Sequence, residues 1–329
     1  MHVMQPMQPM QPMKVCITID MDNYREYRSL VDPSGDGAGP SFYLDAIPRF
    51  LDLLDRHDAR ATFFMIGQDG ERAEHRALVR EIAARGHEVA NHSFTHPYDF
   101  RRLSRAQKQS EIVRTEATIA DIVGAPPVGF RTPSCDVDGE TLELLQERGY
   151  LYDSSIFPTP VMWAFMAYGK LFVRRADYQL GHLTSVFAPP RPYVPRFDRL
   201  HRAWRLHDVQ GPRLLEIPVS VTPVLRLPFY STLLRRLGPR IFSLLLRAYG
   251  RRRPVLHMLF HLIDLADLGG TSLGRALART PGLTVPFTTR EHFVSHAIGA
   301  LRSVGEPVTL RELAAGLLES RPAPSPSPS

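Results

Sequence analysis

Residues 61–99 read ATFFMIGQDGERAEHRALVREIAARGHEVANHSFTHPYD, and two periodicities alternate within them. ATFFMI, at 61–66, is a short apolar run of the kind that forms a buried strand. Residues 71–85 follow as a helix, and Gly86 supplies the residue type that closes one. EVA, at 88–90, begins a second short strand that runs into a loop ending at Pro97. Strand, helix and strand in this order build parallel sheets with helices outside.

The same alternation extends in both directions. Upstream, KVCITIDMD at 14–22 reads as a buried strand rich in β-branched residues. Phe42, Ile47, Phe50, Leu51 and Leu54 then fall at helical spacing. Downstream the pattern predicts helices at 104–123 and 139–148, and strands at 128–131 and 150–152. Further strands are expected at 214–219, 255–260 and 308–309, with helices at 289–304 and 310–319. The expected architecture is α/β, a distorted (β/α) barrel of about seven parallel strands with helices outside. Its 329 residues, 43% of them apolar, allow one large domain, read here as 14–320. Residues 23–40, polar and rich in Gly and Asp, predict a loop over the site.

Two segments break the alternation. Residues 158–213 are rich in Pro, Arg and aromatics, and 223–253 interleave leucines with arginines up to Arg251, Arg252 and Arg253. They read as basic insertions into the barrel. A basic amphipathic helix in the second can lie on an anionic membrane face or cover the barrel with its arginines in solvent.

The chemistry-bearing residues cluster at strand ends. Three HxxxH pairs occur, so spacing alone does not distinguish them. His292 and His296 lie in a helical pattern and read as surface residues. His257 and His261 share one strand, His257 deeper and expected in the core, His261 at the rim. His92 and His96 instead leave a strand for a loop, where α/β sites collect. Two imidazoles four apart can close on one divalent metal, and Asp20 and Asp22, on one side of their strand's end, offer a third ligand with one carboxylate left over. Arg131, ending its strand before Thr132-Pro133, points at the same face of a barrel. Asp153, just past the 150–152 strand, falls on the same rim.

IDMD, NHSFTH, FRTPS, YDSSIFP and LFH occur here in the order and rough spacing of the polysaccharide deacetylases, carbohydrate esterase family 4. The chain resembles that family over about 14–152, 214–219 and 254–317. The resemblance implies a metal held by Asp22, His92 and His96, Zn²⁺ first and Co²⁺ as another option. It implies Asp20 as general base held by Arg131, an oxyanion-binding N–H near Ser134, and His261 as general acid with a neighbouring acid such as Asp153. The substrate implied is an N-acylated sugar or glycan. Departures are visible: Met21 separates the first acids, Asn23-Tyr24 replace the usual Gly-Pro, and Cys135 stands near a missing glycine. These variants look like the branch that includes some peptidoglycan deacetylases and the deformylases of lipid-linked aminosugars. A deacylase of polyprenyl-linked or nucleotide-linked sugars at the inner membrane face therefore stays open, as do a non-catalytic carbohydrate-binding protein and a cyclic-amide hydrolase.

The net charge of +6 invites nucleic acid, but no recognition motif accompanies it, and none is expected as a partner. Two cysteines make no disulfide framework, with Cys135 expected as a small buried hydrophobe. Residues 1–13, with the repeat MQPMQPMQPM, lack the features of a signal peptide and read as a disordered tail, like 321–329. No run reaches a membrane span. A cytoplasmic protein, or one peripheral on the inner membrane face through 223–253, is the expectation.

Overall fold

The computed structural model describes residues 12–31, 39–172, 181–204, 213–250, 253–271, 273–275 and 285–319. Most of both expected tails, and Arg251 and Arg252, lie outside them.

Strand β1 (Lys14–Asp20) alternates strictly. Val15, Ile17 and Ile19 enter the helix-facing core, while Cys16 packs inside the barrel. Helix α1 (Tyr24–Val31) follows, where a loop was expected. The reason is local: the Asn23 side-chain carbonyl accepts from Tyr24 N, and Asn23 N donates to Glu26 Oε2, so Asn23-x-x-Glu26 caps the helix from both directions. Asn23 Oδ1 also accepts from Phe42 N, joining α1 to α2 (Phe42–Arg56). The five apolar positions expected of α2 are all buried.

β2 (Ala61–Met65), α3 (Ala73–Ala84) and β3 (Glu88–Asn91) realise the unit read first, with Gly86 in the left-handed region at φ +80. α4 (Arg105–Val123) starts on a Ser104–Gln107 capping box and ends at Gly124. β4 (Gly129–Phe130), α5 (Gly139–Glu147) and β5 (Tyr152–Asp153) continue the cycle. In the first insertion, α6 (Val161–Phe172) precedes a separate antiparallel hairpin of β6 (Pro195–Arg196) and β7 (Arg199–Ala203). β8 (Leu215–Glu216), α7 (Ser231–Gly250), β9 (Val255–His261), α8 (Phe287–Val304), β10 (Glu306–Pro307) and α9 (Leu310–Glu319) complete the described elements.

Seven parallel strands run β9-β1-β2-β3-β4-β5-β8, and β10 lies beside the first two residues of β1. Between β8 and β9 the curl is bridged by single contacts: Ser220 N donates to His257 O at 3.0 Å, and Leu259 N to Phe229 O at 3.0 Å. α9 plugs the far end, packing Leu310, Leu313 and Ala314 with Cys16, Phe64, Ala90 and Tyr152. The fold is thus the barrel expected, drawn open on one side.

The second insertion is not one uninterrupted helix face. α7 kinks at Gly238 (φ +81) ahead of Pro239, and its Leu234, Phe242, Leu246 and Tyr249 are buried in the main core. Ile241 and Leu244 remain exposed.

Candidate active site

The strand registers bring the expected residues together. Asp20 pairs with His261 across β1 and β9, and with Phe64 across β1 and β2. β3 ends at Asn91, so His92 enters the site directly from the sheet. Arg131 leaves β4 next to it, its N–H donating to Asn91 O at 3.0 Å.

Asp22 Oδ1 lies 3.1 Å from His96 Nε2 and 3.5 Å from His92 Nε2. One donor atom from each of the three falls within 4.8 Å of the others, the one such group among the described residues. Asp22 Oδ1 is buried with no hydrogen-bond partner, which suits an atom reserved for a cation. Two imidazoles and a carboxylate match the donor preference of zinc and its neighbours. His92 Nδ1 lies 2.8 Å from the Arg131 carbonyl, which fixes its proton there and turns Nε2 toward Asp22. Burial alone would push the Asp22 carboxyl up, but the His96 and His92 imidazoles, with His261 beyond, hold it well below the usual range. Burial would likewise lower His96, and Asp22 beside it reverses the direction. Both shifts describe a place built for positive charge.

The loop carrying the histidines is bent sharply, with Ser93 at φ +62 and His96 at φ +56. Glu111 on α4 clamps it: Phe94 N and Thr95 N both donate to Oε2 at 2.8 Å, and Thr95 Oγ1 donates to Oε1 at 2.8 Å. Thr95 braces the loop through its hydroxyl, whereas Ser93 does so through its backbone N–H to Asn91 Oδ1. Glu111 was missed because nothing in a helical pattern marks one exposed-looking acid as a clamp.

Asp20 is divided between two tasks. Oδ1 accepts from Arg131 at 2.5 Å. Oδ2 faces the site, 4.0 Å from His92 Nε2 and 3.7 Å from His261 Nε2. Arg131 is fully buried, and every guanidinium nitrogen has an acceptor, drawn from Ser154 O, Asp20 Oδ1, Thr18 Oγ1, Ser154 Oγ and His257 Nε2. The Phe64 ring lies beneath it at 4.0 Å.

His261 reaches the rim, Nε2 3.7 Å from Asp22 Oδ2, with the Tyr230 ring 5.4 Å away. Asp264 holds its backbone N–H at 3.0 Å and is itself tied to Arg235 and Ser231 of α7. The second insertion thereby furnishes part of the wall beside His261, which the sequence pattern does not reveal.

Asp153 corrects an expectation. It lies within β5, fully buried, and its hydrogen-bond partners are Ser155 and Glu216; the acids facing the His261 ring are Asp20 and Asp22. The strand is displaced by one residue from the expected 150–152, so Asp153 turns into the barrel wall. Burial, then Asp153 itself, drives Glu216 well above the usual carboxylate range. The pair in turn holds Ser155, whose hydroxyl receives Thr132 N at 2.9 Å and fixes the start of the 132–135 turn.

His257 is buried in the core as expected, and His292 is exposed on α8, while His296 bonds Ser243. Cys135 packs beside Phe157, Met162, Val219 and Leu259, and burial pushes its thiol up, away from reactivity.

The family profile described as polysaccharide deacetylase matches residues 36–152. A peptidoglycan-N-acetylglucosamine deacetylase of Bacillus cereus is 28% identical over 108 residues, 33% of this chain and 38% of that protein. A chitooligosaccharide deacetylase of Sinorhizobium fredii is 36% identical over 102 residues, 29% of this chain and 46% of its own. The chain thus spans less than half the length of these curated relatives. Among solved structures, one from Mycobacterium smegmatis assigned to the polysaccharide deacetylases superposes with a TM-score of 0.58 at 18% identity, covering 98% of this chain and 99% of that one. At that identity the likeness speaks for the fold. On the profile match over residues 36–152, the ordered motifs and the barrel that carries them, the chain is similar to the polysaccharide deacetylases.

Proposed function

We propose that this chain hydrolyses the N-acyl amide of an aminosugar or glycan, acetyl being the acyl group, with a divalent metal, zinc foremost, held by Asp22, His92 and His96. The observation that carries this reading is the placement of Asp20 Oδ2, within 4.0 Å of a ligand imidazole and of His261, while Arg131 occupies its other oxygen. A metal in that set supplies Lewis acidity toward water and the acyl carbonyl. Asp20 Oδ2 takes the proton of the attacking water, and Arg131 keeps that carboxylate aimed. The oxyanion falls to the Ser134 N–H, in the turn where Ser134 and Cys135 both adopt positive φ. His261 Nε2 gives a proton to the departing amine, so that C–N cleavage leaves a neutral amino group and a carboxylate.

A second reading concerns where the sugar is presented. Residues 222–263 hold arginines and no acid, and α7 exposes Arg240, Ile241, Leu244 and Arg247. An anionic membrane face complements that surface, which favours a lipid-linked aminosugar at the inner leaflet. No helix of the described residues is long and apolar enough to cross a membrane.

Mass spectrometry of acyl loss tests both readings. The zinc-loaded protein is offered N-acetylglucosamine oligomers in one reaction and polyprenyl-phosphate-linked N-acyl aminosugars in another. Loss from either, abolished by Asp20→Asn with zinc content unchanged, supports the hydrolase. Turnover retained by Asp20→Asn overturns the base assignment, and loss from soluble oligomers alone rejects the lipid-linked substrate.

A further inference from the structure

We propose that His257 is a positioning residue for Asp20, acting through Arg131 as a neutral imidazole whose bare Nε2 accepts from the guanidinium. The inference rests on the reading of Asp20 as the base.

An arginine side chain only donates, so a ring nitrogen 3.2 Å from Arg131 Nη2 has to be the unprotonated one. The other nitrogen, Nδ1, lies 3.1 Å from the Pro218 carbonyl, which accepts but never donates. The two contacts select one tautomer, with the proton on Nδ1. Thr18 Oγ1 stands 3.0 Å from His257 Nε2 and also accepts from Arg131 Nη1 at 3.3 Å, so its hydroxyl bridges the ring and the guanidinium.

The fold makes this chain of contacts rigid. β1 and β9 are paired residue for residue, Cys16 with His257 and Asp20 with His261, so the two histidines rise on one face at a fixed separation. On the other side the His257 backbone is held in both directions by Ser220, its O accepting from Ser220 N and its N donating to Ser220 Oγ at 2.9 Å. His257 therefore spans the open seam between β8 and β9 and, from the same position, fills the last acceptor place around Arg131. Burial first, then the Arg131 charge, holds its pKa down to about 3, consistent with a ring that stays neutral. Without that acceptor a buried guanidinium N–H is left unpaired, and the fork is free to tilt away from Asp20 Oδ1.

Full-length His257→Leu and His257→Gln are compared with the wild type, zinc-loaded, on whichever acylated sugar the protein turns over. Gln places an acceptor oxygen near the Nε2 position; Leu does not. The expected result is a 10- to 100-fold fall in kcat for Leu, with KM and zinc stoichiometry unchanged, and recovery to within about 5-fold for Gln. Full kcat in His257→Leu, or a folded Gln variant as impaired as Leu, overturns the proposal. Nitrogen-15 NMR of histidine-labelled wild-type protein gives a reading that needs neither turnover nor a folded variant. A His257 ring protonated at Nδ1 alone at pH 7 is expected, and a proton on Nε2 refutes the role outright. Asp20→Asn that stays active, with the Nδ1 tautomer intact, removes the base assignment and leaves the Arg131 contact standing.

Discussion

His87 offers a measurable acid sensitivity that lies away from the chemistry. It precedes β3 at the end opposite His92, 7% exposed, with Phe63 5.6 Å from its ring. Its Nδ1 accepts from Ala61 N at 3.3 Å, so a second proton there would face an N–H. Burial lowers its pKa first, and Arg85 and Arg60 add repulsion against the partial help of Asp55, to about 4 from an ordinary 6.5. Between those values the unfolded chain binds a proton that the folded chain refuses, so stability is full above pH 6.5 and falls as the pH drops toward 4. At pH 5 the gap of 1.5 units from the unfolded value is worth about 2 kcal/mol at 1.36 kcal/mol per unit. His87→Asn keeps an acceptor near Nδ1 and does not titrate. Urea unfolding of both proteins in chelator, followed by circular dichroism at pH 7.5 and 5, should show the wild type losing about 2 kcal/mol more than the variant over that range. At pH 7.5 the variant should be weaker by about 1 kcal/mol for the lost ring packing. Two parallel stability curves would refute the assignment of His87 as a neutral, buried acceptor.

Three further outcomes follow from the same contacts. Asp22→Ala should lose stoichiometric zinc by elemental analysis, because it removes the ligand atom that both imidazoles face; retained zinc would place the metal elsewhere. Gly129→Ala should cost at least about 2 kcal/mol in urea, since a Cβ there would stand 1.9 Å from Cζ of the fully buried Tyr152; a Tm equal to wild type would contradict that packing. Ser104→Ala should cost about 1 kcal/mol by removing the acceptor of Gln107 N at the start of α4, without changing kcat.

The alternation of apolar runs makes the barrel legible in the sequence, because a strand buried on both faces and an amphipathic helix have distinct periods. The same logic locates Asp20, Asp22, His92, His96, Arg131 and His261, since parallel strands deliver their C-terminal ends to one rim. Helix α1 escapes it although a signal is present: Asn23 and Glu26 stand at capping-box spacing, but the Gly- and Asp-rich stretch after Val31 dominates the local composition. Asp153 falls on the rim in the sequence pattern because strand ends are uncertain by a residue. With side chains alternating at period two, that one residue sends the carboxylate to a different neighbour.

Local pattern and spacing are enough to define the elements of this chain and the residues capable of chemistry. Which of those residues meet is a matter of long-range contact. Asp20 is split between Arg131 and the site, and Glu111 grips the histidine loop from a helix. Burial and Asp153 beside it raise the Glu216 carboxyl, and His257 completes the guanidinium shell across an open seam. Each is a contact between residues up to 126 positions apart, set by strand register and burial, and burial is what turns ordinary polar side chains into partners that must be satisfied.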